Sequence, residues 1–208
     1  MPPNTSASHN GSVNNDPHAI EERFLEPHQQ ILELALNELQ NGCKESCWSW
    51  YFLPTPPHLV DGVERGSPMN QKYALRSDDQ VHAFLEFARG DVSLRRNYIE
   101  IVTAIRQQLQ HGLTLRELLG PMDAPKAISS FHLFERIGLD RNDTELYTVC
   151  GDVLEICGEE RRPVPSPPHR PEALATADVP VTKRPFSVES LFSCCFRKHK
   201  TEPSKDSS

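Results

Sequence analysis

An aromatic cluster is the densest group of chemically distinctive side chains in the sequence. The stretch "KESCWSWYFLPTPP", residues 44–57, holds both tryptophans of the protein beside a tyrosine and a phenylalanine, and prolines close it. Tryptophan and tyrosine combine a large apolar body with one polar group, which suits them to ligand pockets. Aromatic side chains more often pack in a core, so the cluster predicts either an anchor for the proline-rich loop or the rim of a pocket.

The cysteines suggest a second kind of chemistry. Four of the six form two pairs in the sequence, Cys43 with Cys47 and Cys150 with Cys157. Neither pair has the C-x-x-C spacing of a structural zinc site. We therefore expect no metal site and no cofactor, and this spacing disfavours the alternative of a zinc-dependent domain. Cys150 and Cys157 fall on an apolar helical stripe, which indicates core side chains.

A catalytic cysteine is the enzyme interpretation of the same region. Cys47 could serve as a nucleophile if His58, His82 or His132 lay beside it in the fold. The sequence contains no glycine-rich phosphate loop, no H-E-x-x-H motif and no G-x-S-x-G motif. These absences argue against the commonest hydrolases and nucleotide-dependent enzymes, and no catalytic residue is assigned.

The C-terminal stretch "PFSVESLFSCCFRKHK" carries another pair of thiols, Cys194 and Cys195, directly before a basic cluster. Adjacent cysteines with aromatic and basic neighbours indicate reversible S-acylation. Two acyl chains, or one chain with a basic patch, anchor a protein durably to a membrane. The alternative is a disordered tail with incidental cysteines. Peripheral membrane contact through the tail is thus one of two interpretations.

Composition sets further bounds on function. The net charge of -7 on 208 residues gives no general attraction to nucleic acid, so no nucleic-acid partner is expected. No apolar stretch is long enough to cross a bilayer. The N-terminal "MPPNTSASHNGSVNNDP" lacks the basic start and apolar core of a secretory signal. A cytoplasmic protein with reduced cysteines is therefore predicted.

The chain divides into three predicted parts. Residues 1–23 form a disordered N-terminal tail, because a segment so rich in Asn, Ser, Pro and Gly buries too little apolar surface to offset its ordering entropy. Residues 24–158 form one all-α domain, long enough for a single core. Residues 159–208 form a disordered proline-rich tail that ends in the Cys-Cys and basic stretch.

Helical periodicity carries the fold prediction. Apolar residues recur at helical spacing in about six segments, and no convincing alternating strand is present. The stripe Leu94, Tyr98, Ile101, Val102, Ile105 and Leu109 is one example. Ser77 with Gln80 and Thr114 with Glu117 have capping-box spacing, and Asp123 is expected to begin a helix. We predict a single compact helical domain, with 48–68 as its longest non-helical stretch.

Three blocks of the sequence resemble a family of domains of unknown function, DUF1810, which is common in bacteria and present in fungi. The blocks are "ALNELQNGCKESCWSWYFLP", "QKYALRSDDQVHAFLE" and "LLGPMDAPKAISSFHLF". The positions that match the family pattern are Glu38, Leu39, Gly42, Lys44, Trp48, Trp50, Tyr51, Pro54, Tyr73, Ala74, Gly120, Asp123, Lys126, Ser129, Ser130, Leu133 and Phe134. The resemblance covers roughly residues 24–157. It implies a compact all-α fold and no established activity.

Two positions depart from the family pattern. Cys47 stands where the family has a histidine, and Thr55 stands where it has a glutamine. If those family residues lined a catalytic or ligand site, this chain has altered it.

The aromatic block and a distant polar helix start together define a candidate binding site. Its residues are Lys44, Trp48, Trp50, Tyr51, Lys126, Ser129 and Ser130. Free amide groups at a helix start attract anions, so a start facing the tryptophans could hold a small anionic ligand. We predict a non-enzymatic module that binds a partner protein or such a ligand. The alternative is an enzyme of unassigned class with a tryptophan-lined pocket near residues 47–54, using Lys126 and Ser129.

Overall fold

The computed structural model describes residues 16–163, and this part of the chain is mostly helical. After a π-helical turn (Glu21–Leu25) come α1 (Glu26–Gln40), α2 (Ser49–Phe52), α3 (Pro68–Tyr73), α4 (Asp78–Glu86), α5 (Leu94–Gln110), α6 (Leu115–Leu119), α7 (Ala124–Asp140) and α8 (Thr144–Ile156). Two short antiparallel hairpins pair β1 (His58–Val60) with β2 (Val63–Arg65), and β3 (Ala88–Arg89) with β4 (Val92–Ser93). The prediction of a compact helical domain is confirmed.

Helix α5 occupies the centre of the core and packs against α1, α4 and α8. All six residues of its predicted apolar stripe, Leu94 to Leu109, are buried. Burial of one such large apolar side chain stabilises the fold by roughly 1.5–3 kcal/mol. Packing of this stripe, more than intrinsic propensity, therefore holds the helix.

Helices α7 and α8 lie side by side at unusually close range. Gly138 of α7 faces the α8 backbone, and a Cβ atom at this position would stand 2.7 Å from the backbone nitrogen of Tyr147. Glycine inside a helix costs about 1 kcal/mol relative to alanine. Here the missing side chain lets the two backbones approach each other.

The predicted helix caps are formed to different degrees. Thr114 and Glu117 make a complete capping box at α6, with the Thr114 N–H donating to Glu117 Oε2 at 2.8 Å. Ser77 caps α4 by accepting from the Gln80 N–H at 3.3 Å. The Gln80 side chain instead accepts from the Arg76 N–H at 3.0 Å, so this box is only half made.

The structure departs from the sequence-based expectations at the start of the domain. Ile20 is buried in the core, and the π-helical turn begins at Glu21. The folded part therefore starts before residue 24, the boundary expected from composition. The polar residues around this segment concealed the buried side chains of Ile20 and Arg23.

The stretch 48–68, expected to be non-helical, contains α2 and the β1–β2 hairpin. Helix α3, which follows it directly, was also not predicted. None of the helices within residues 16–163 has the length and apolarity needed to cross a bilayer. The predicted acylation sites Cys194 and Cys195 lie outside the described residues.

Candidate functional site

Trp48 lies in the core and does not line a pocket. Its side chain is 0% exposed, and its indole Nε1 donates to Glu38 Oε2 at 2.7 Å. The same carboxylate accepts from the backbone N–H groups of Glu45 and Ser46. Burial alone would raise the pKa of Glu38, but these hydrogen bonds outweigh it and hold the pKa below its usual value. Glu38 and Trp48 thus fasten the loop after α1 to the core.

Asp123 joins this loop to the beginning of α7. Its Oδ2 atom lies 2.7 Å from Lys44 Nζ and accepts from Ser49 Oγ at 2.9 Å. Its Oδ1 atom accepts from Lys126 Nζ at 3.1 Å. Burial alone would raise the pKa of Asp123, yet the two ammonium groups and the hydroxyl lower it below its usual value. Asp123 stands at the N-cap position as predicted, but its side chain makes no capping bond.

Lys126 is held between this carboxylate and an aromatic face. Its Nζ atom lies 3.5 Å from the ring centroid of Trp50, a cation–π contact that stabilises by roughly 0.5–2 kcal/mol. An ammonium group has three N–H donors. Asp123 accepts one and the Trp50 face attracts the group from a second side, so a donor is left for another acceptor. The side chain of Lys126 is 26% exposed, which keeps that donor within reach of a ligand.

A groove runs along α7 beside the proline-rich loop, and we call it the α7 groove. It consists of two adjoining depressions of about 370 and 470 Å³, because Pro56, Pro57 and Ser129 line both of them. Lys126, His58 and Asn70 line the smaller one, the Lys126 end. Arg76, Asp78, His132, Arg136 and Arg162 are the charged and ionisable side chains that line the larger one, the Arg136 end. Basic side chains therefore outnumber carboxylates along the groove.

The structure brings only part of the predicted site to this groove. Lys126 and Ser129 line it, and Trp50 lies under the Lys126 ammonium. Ser130 is fully buried, 3.3 Å from the Tyr98 hydroxyl. Tyr51 packs its ring edge-to-face on Tyr73 at 4.9 Å between centroids.

Comparison with known proteins places the chain in a family. Residues 18–152 match the family described as "Protein of unknown function (DUF1810)". The chain belongs to this family. The resemblance read from the three sequence blocks is thereby confirmed. DUF1810 is a family of unknown function, so membership supports the fold and assigns no activity.

A solved structure from a bacterium resembles this DUF1810 domain. The conserved hypothetical protein Rv1873 from Mycobacterium tuberculosis is 25% identical and matches with a TM-score of 0.54. The match covers 67% of this chain and 87% of that protein. Its description names no ligand or reaction. Among curated proteins, no relative matches the chain.

Of the residues of the enzyme interpretation in this DUF1810 domain, Lys126 and Ser129 share the α7 groove, but Cys47 does not join them there. Cys47 is exposed and lines neither end of the α7 groove. His58 lines the Lys126 end and His132 the Arg136 end, whereas His82 lies on α4 outside both. Within residues 16–163, no three histidine, cysteine or carboxylate side chains lie close enough together to hold a metal ion.

Sequence reasoning missed the role of His28. This imidazole is 1% exposed, with Nε2 3.0 Å from the Tyr51 carbonyl oxygen and Nδ1 3.2 Å from Asn97 Nδ2. Burial lowers its pKa to about 4, although the hydrogen bond to Tyr51 opposes the shift. His28 is therefore a neutral core residue whose hydrogen bond to the Tyr51 carbonyl holds the aromatic loop against α1. Its position near the start of α1 gave no periodic signal of this role.

Proposed function

We propose that this DUF1810 domain is a non-enzymatic module that binds a small anionic ligand in the α7 groove. The observation that supports this function best is the state of Lys126. Asp123 and Trp50 fix its ammonium in place, so little side-chain entropy is lost when a ligand binds. One donor still points away from both partners, at the edge of a depression large enough for a small molecule.

The other groups at the Lys126 end favour an anion as well. Asn70 carries two amide N–H donors, and His58 carries an imidazole that can donate. Pro56 and Pro57 add apolar surface to the lining of the same depression. Charge-assisted hydrogen bonds are stronger than neutral ones. The arrangement suits a phosphate or carboxylate group attached to a small apolar body.

A thermal-shift screen with nucleotides, phosphorylated metabolites and dicarboxylates tests this function. Ligands that bind should raise the Tm of the full-length protein, and Lys126→Gln should lower their affinity about tenfold or more, since a charge-assisted bond is lost. Lys72→Gln is the matched control, because Lys72 also lies over an aromatic ring, that of Tyr73, but outside the groove. Absence of any shift at millimolar ligand, or equal losses in both variants, would contradict the proposal.

Acylation of Cys194 and Cys195 stays a prediction from the sequence alone. If both thiols carry acyl chains, the protein should appear in the membrane fraction of cells and move to the soluble fraction in a double Cys→Ser variant. Cys43→Ser with Cys47→Ser is the control, because these exposed thiols lie in the helical domain. Unchanged fractionation of the tail variant would favour incidental cysteines.

A further inference from the structure

The chain turns back over α7 and α8 after the last helix, and we call residues 159–163 the C-terminal strap. Arg161 anchors it. Its guanidinium forms ion pairs without hydrogen bonds, 3.7 Å from Glu135 Oε1 through Nε and 3.6 Å from Asp152 Oδ1 through Nη1, and lies 4.7 Å from the ring centroid of Tyr147. The strap backbone is held too, because Tyr147 Oη donates to the Arg162 carbonyl at 2.7 Å. One arginine thus touches both helices.

Gly151 of α8 provides the space for this arginine. A Cβ atom at position 151 would stand 2.2 Å from Arg161 Nε, so the guanidinium occupies room that any other residue would fill. Glycine in a helix interior is unfavourable by about 1 kcal/mol. The lower helix propensity of Gly151 is thus accepted at the position where Arg161 packs against α8.

Glu135 supplies the opposite charge beside Arg161. It is 0% exposed, and its Oε1 atom accepts from the Arg162 backbone N–H at 3.2 Å. A carboxylate buried in a helix pair without a cation is strongly unfavourable. Arg161 is the cation that faces it, so the strap is part of the folded domain although the family match ends at residue 152.

The strap places the next residue, Arg162, at the Arg136 end of the α7 groove. The other two arginines at this end are already neutralised, Arg76 by Glu64 and Arg136 by Asp78 and Asp140. Within residues 16–163, no carboxylate forms an ion pair with Arg162. Among the described residues, its guanidinium is therefore an unpaired positive charge at that end, as the third Lys126 N–H is a free donor at the other.

We propose that the C-terminal strap completes the binding site and that the ligand of the α7 groove carries two anionic groups. Lys126 receives one phosphate or carboxylate, and Arg162, held in place by Arg161, receives the other. Arg162 lines the same depression as Arg136, and Arg136 lies ten residues from Lys126 on α7, which corresponds to a rise of about 15 Å. The two anionic groups are thus on the order of 10–15 Å apart, joined by a slender apolar linker that lies against Pro56 and Pro57. This proposal rests on the anion-binding function proposed above.

Calorimetry on the full-length protein with α,ω-alkane bisphosphonates of increasing linker length tests the proposal. Affinity should rise with linker length to an optimum and there exceed that of the matching alkyl monophosphonate by about tenfold or more. Arg162→Gln should reduce the bisphosphonate to the affinity of the monophosphonate and leave the monophosphonate unchanged. Lys126→Gln should weaken both. Arg141→Gln, an arginine paired with Glu86 outside the groove, is the control and should change neither.

Two results separate the possible failures. If monophosphonates bind through Lys126 but a second anionic group adds nothing and Arg162→Gln has no effect, the two-anion proposal is wrong and the anion-binding function stands. If neither probe binds the wild-type protein, both are wrong.

The strap has a readout that needs no ligand. Gly151→Ala should displace Arg161 and speed hydrogen exchange of the Arg162 amide about tenfold or more, because its hydrogen bond to Glu135 is lost. The same variant should lose the preference for bisphosphonates as Arg162→Gln does. Unchanged exchange and unchanged preference in Gly151→Ala would show that Arg161 does not position the strap.

Discussion

His28 shows how one buried imidazole links the stability of this domain to pH. The unfolded side chain binds a proton below its ordinary pKa of 6.5, whereas the folded one does so only below about 4. Between these values the unfolded state holds more protons than the folded state. The contribution of His28 to the free energy of unfolding is therefore fully present above about pH 6.5 and is lost as the pH falls toward 4.

Urea unfolding at pH 7 and pH 5 should reveal this dependence. The wild-type protein should lose on the order of 2 kcal/mol from this group between the two pH values, since each pKa unit corresponds to about 1.4 kcal/mol. His28→Gln should be less stable at pH 7 but show a smaller loss on acidification. His111→Gln, at the exposed end of α5, serves as the control. An equal pH dependence in wild type and His28→Gln would contradict the assignment.

At the scale of elements, the packing around α7 and α8 depends on two glycines that lack a side chain, Gly138 on α7 and Gly151 on α8. Gly138→Ala places a methyl group against the rigid Tyr147 backbone, and we expect a loss of stability on the order of 2 kcal/mol. Gly151→Ala is the matched comparison, because its methyl group meets the movable end of Arg161 and also gains helix propensity. Displacing Arg161 from Glu135 offsets that gain, so the net loss should be on the order of 1 kcal/mol, smaller than in Gly138→Ala. Urea midpoints measure both, and equal losses would contradict the distinction.

The sequence predicted the long helices well because each carries several turns of apolar periodicity, as α5 does. It could not predict α2, a single turn that is too short to show a period and is held by Trp48 and Phe52 in the core. The sequence likewise predicted some residues of the candidate site and missed the position of others. Spacing placed Lys126 and Ser129 near one another on α7, but did not reveal that the adjacent Ser130 faces the core. Ser130 lies at helical spacing between the buried Ala127 and Phe134, so the periodicity of α7 carried a signal that its polar type obscured.

At the scale of the whole molecule, the strap determines where the folded domain ends. A variant ending at Pro163 keeps Arg161 and should retain the Tm of the full chain within about 2 °C. A variant ending at Gly158 removes Arg161 and leaves Glu135 buried without its cation. We expect its Tm to fall by roughly 3–8 °C, corresponding to a loss of about 1–3 kcal/mol. Differential scanning calorimetry measures both, and indistinguishable values would place the boundary at 158, as composition alone suggests.

The two tryptophans of this protein have very different surroundings, although one residue separates them in the sequence. The Trp48 indole is shielded from water and bonded to a carboxylate, whereas the face of Trp50 lies against an ammonium group at the edge of the groove. The two tryptophans are therefore fluorescent reporters of different parts of the protein. The emission of Trp48 should report whether the domain is folded. The emission of Trp50 should change when a ligand moves the Lys126 ammonium away from its ring.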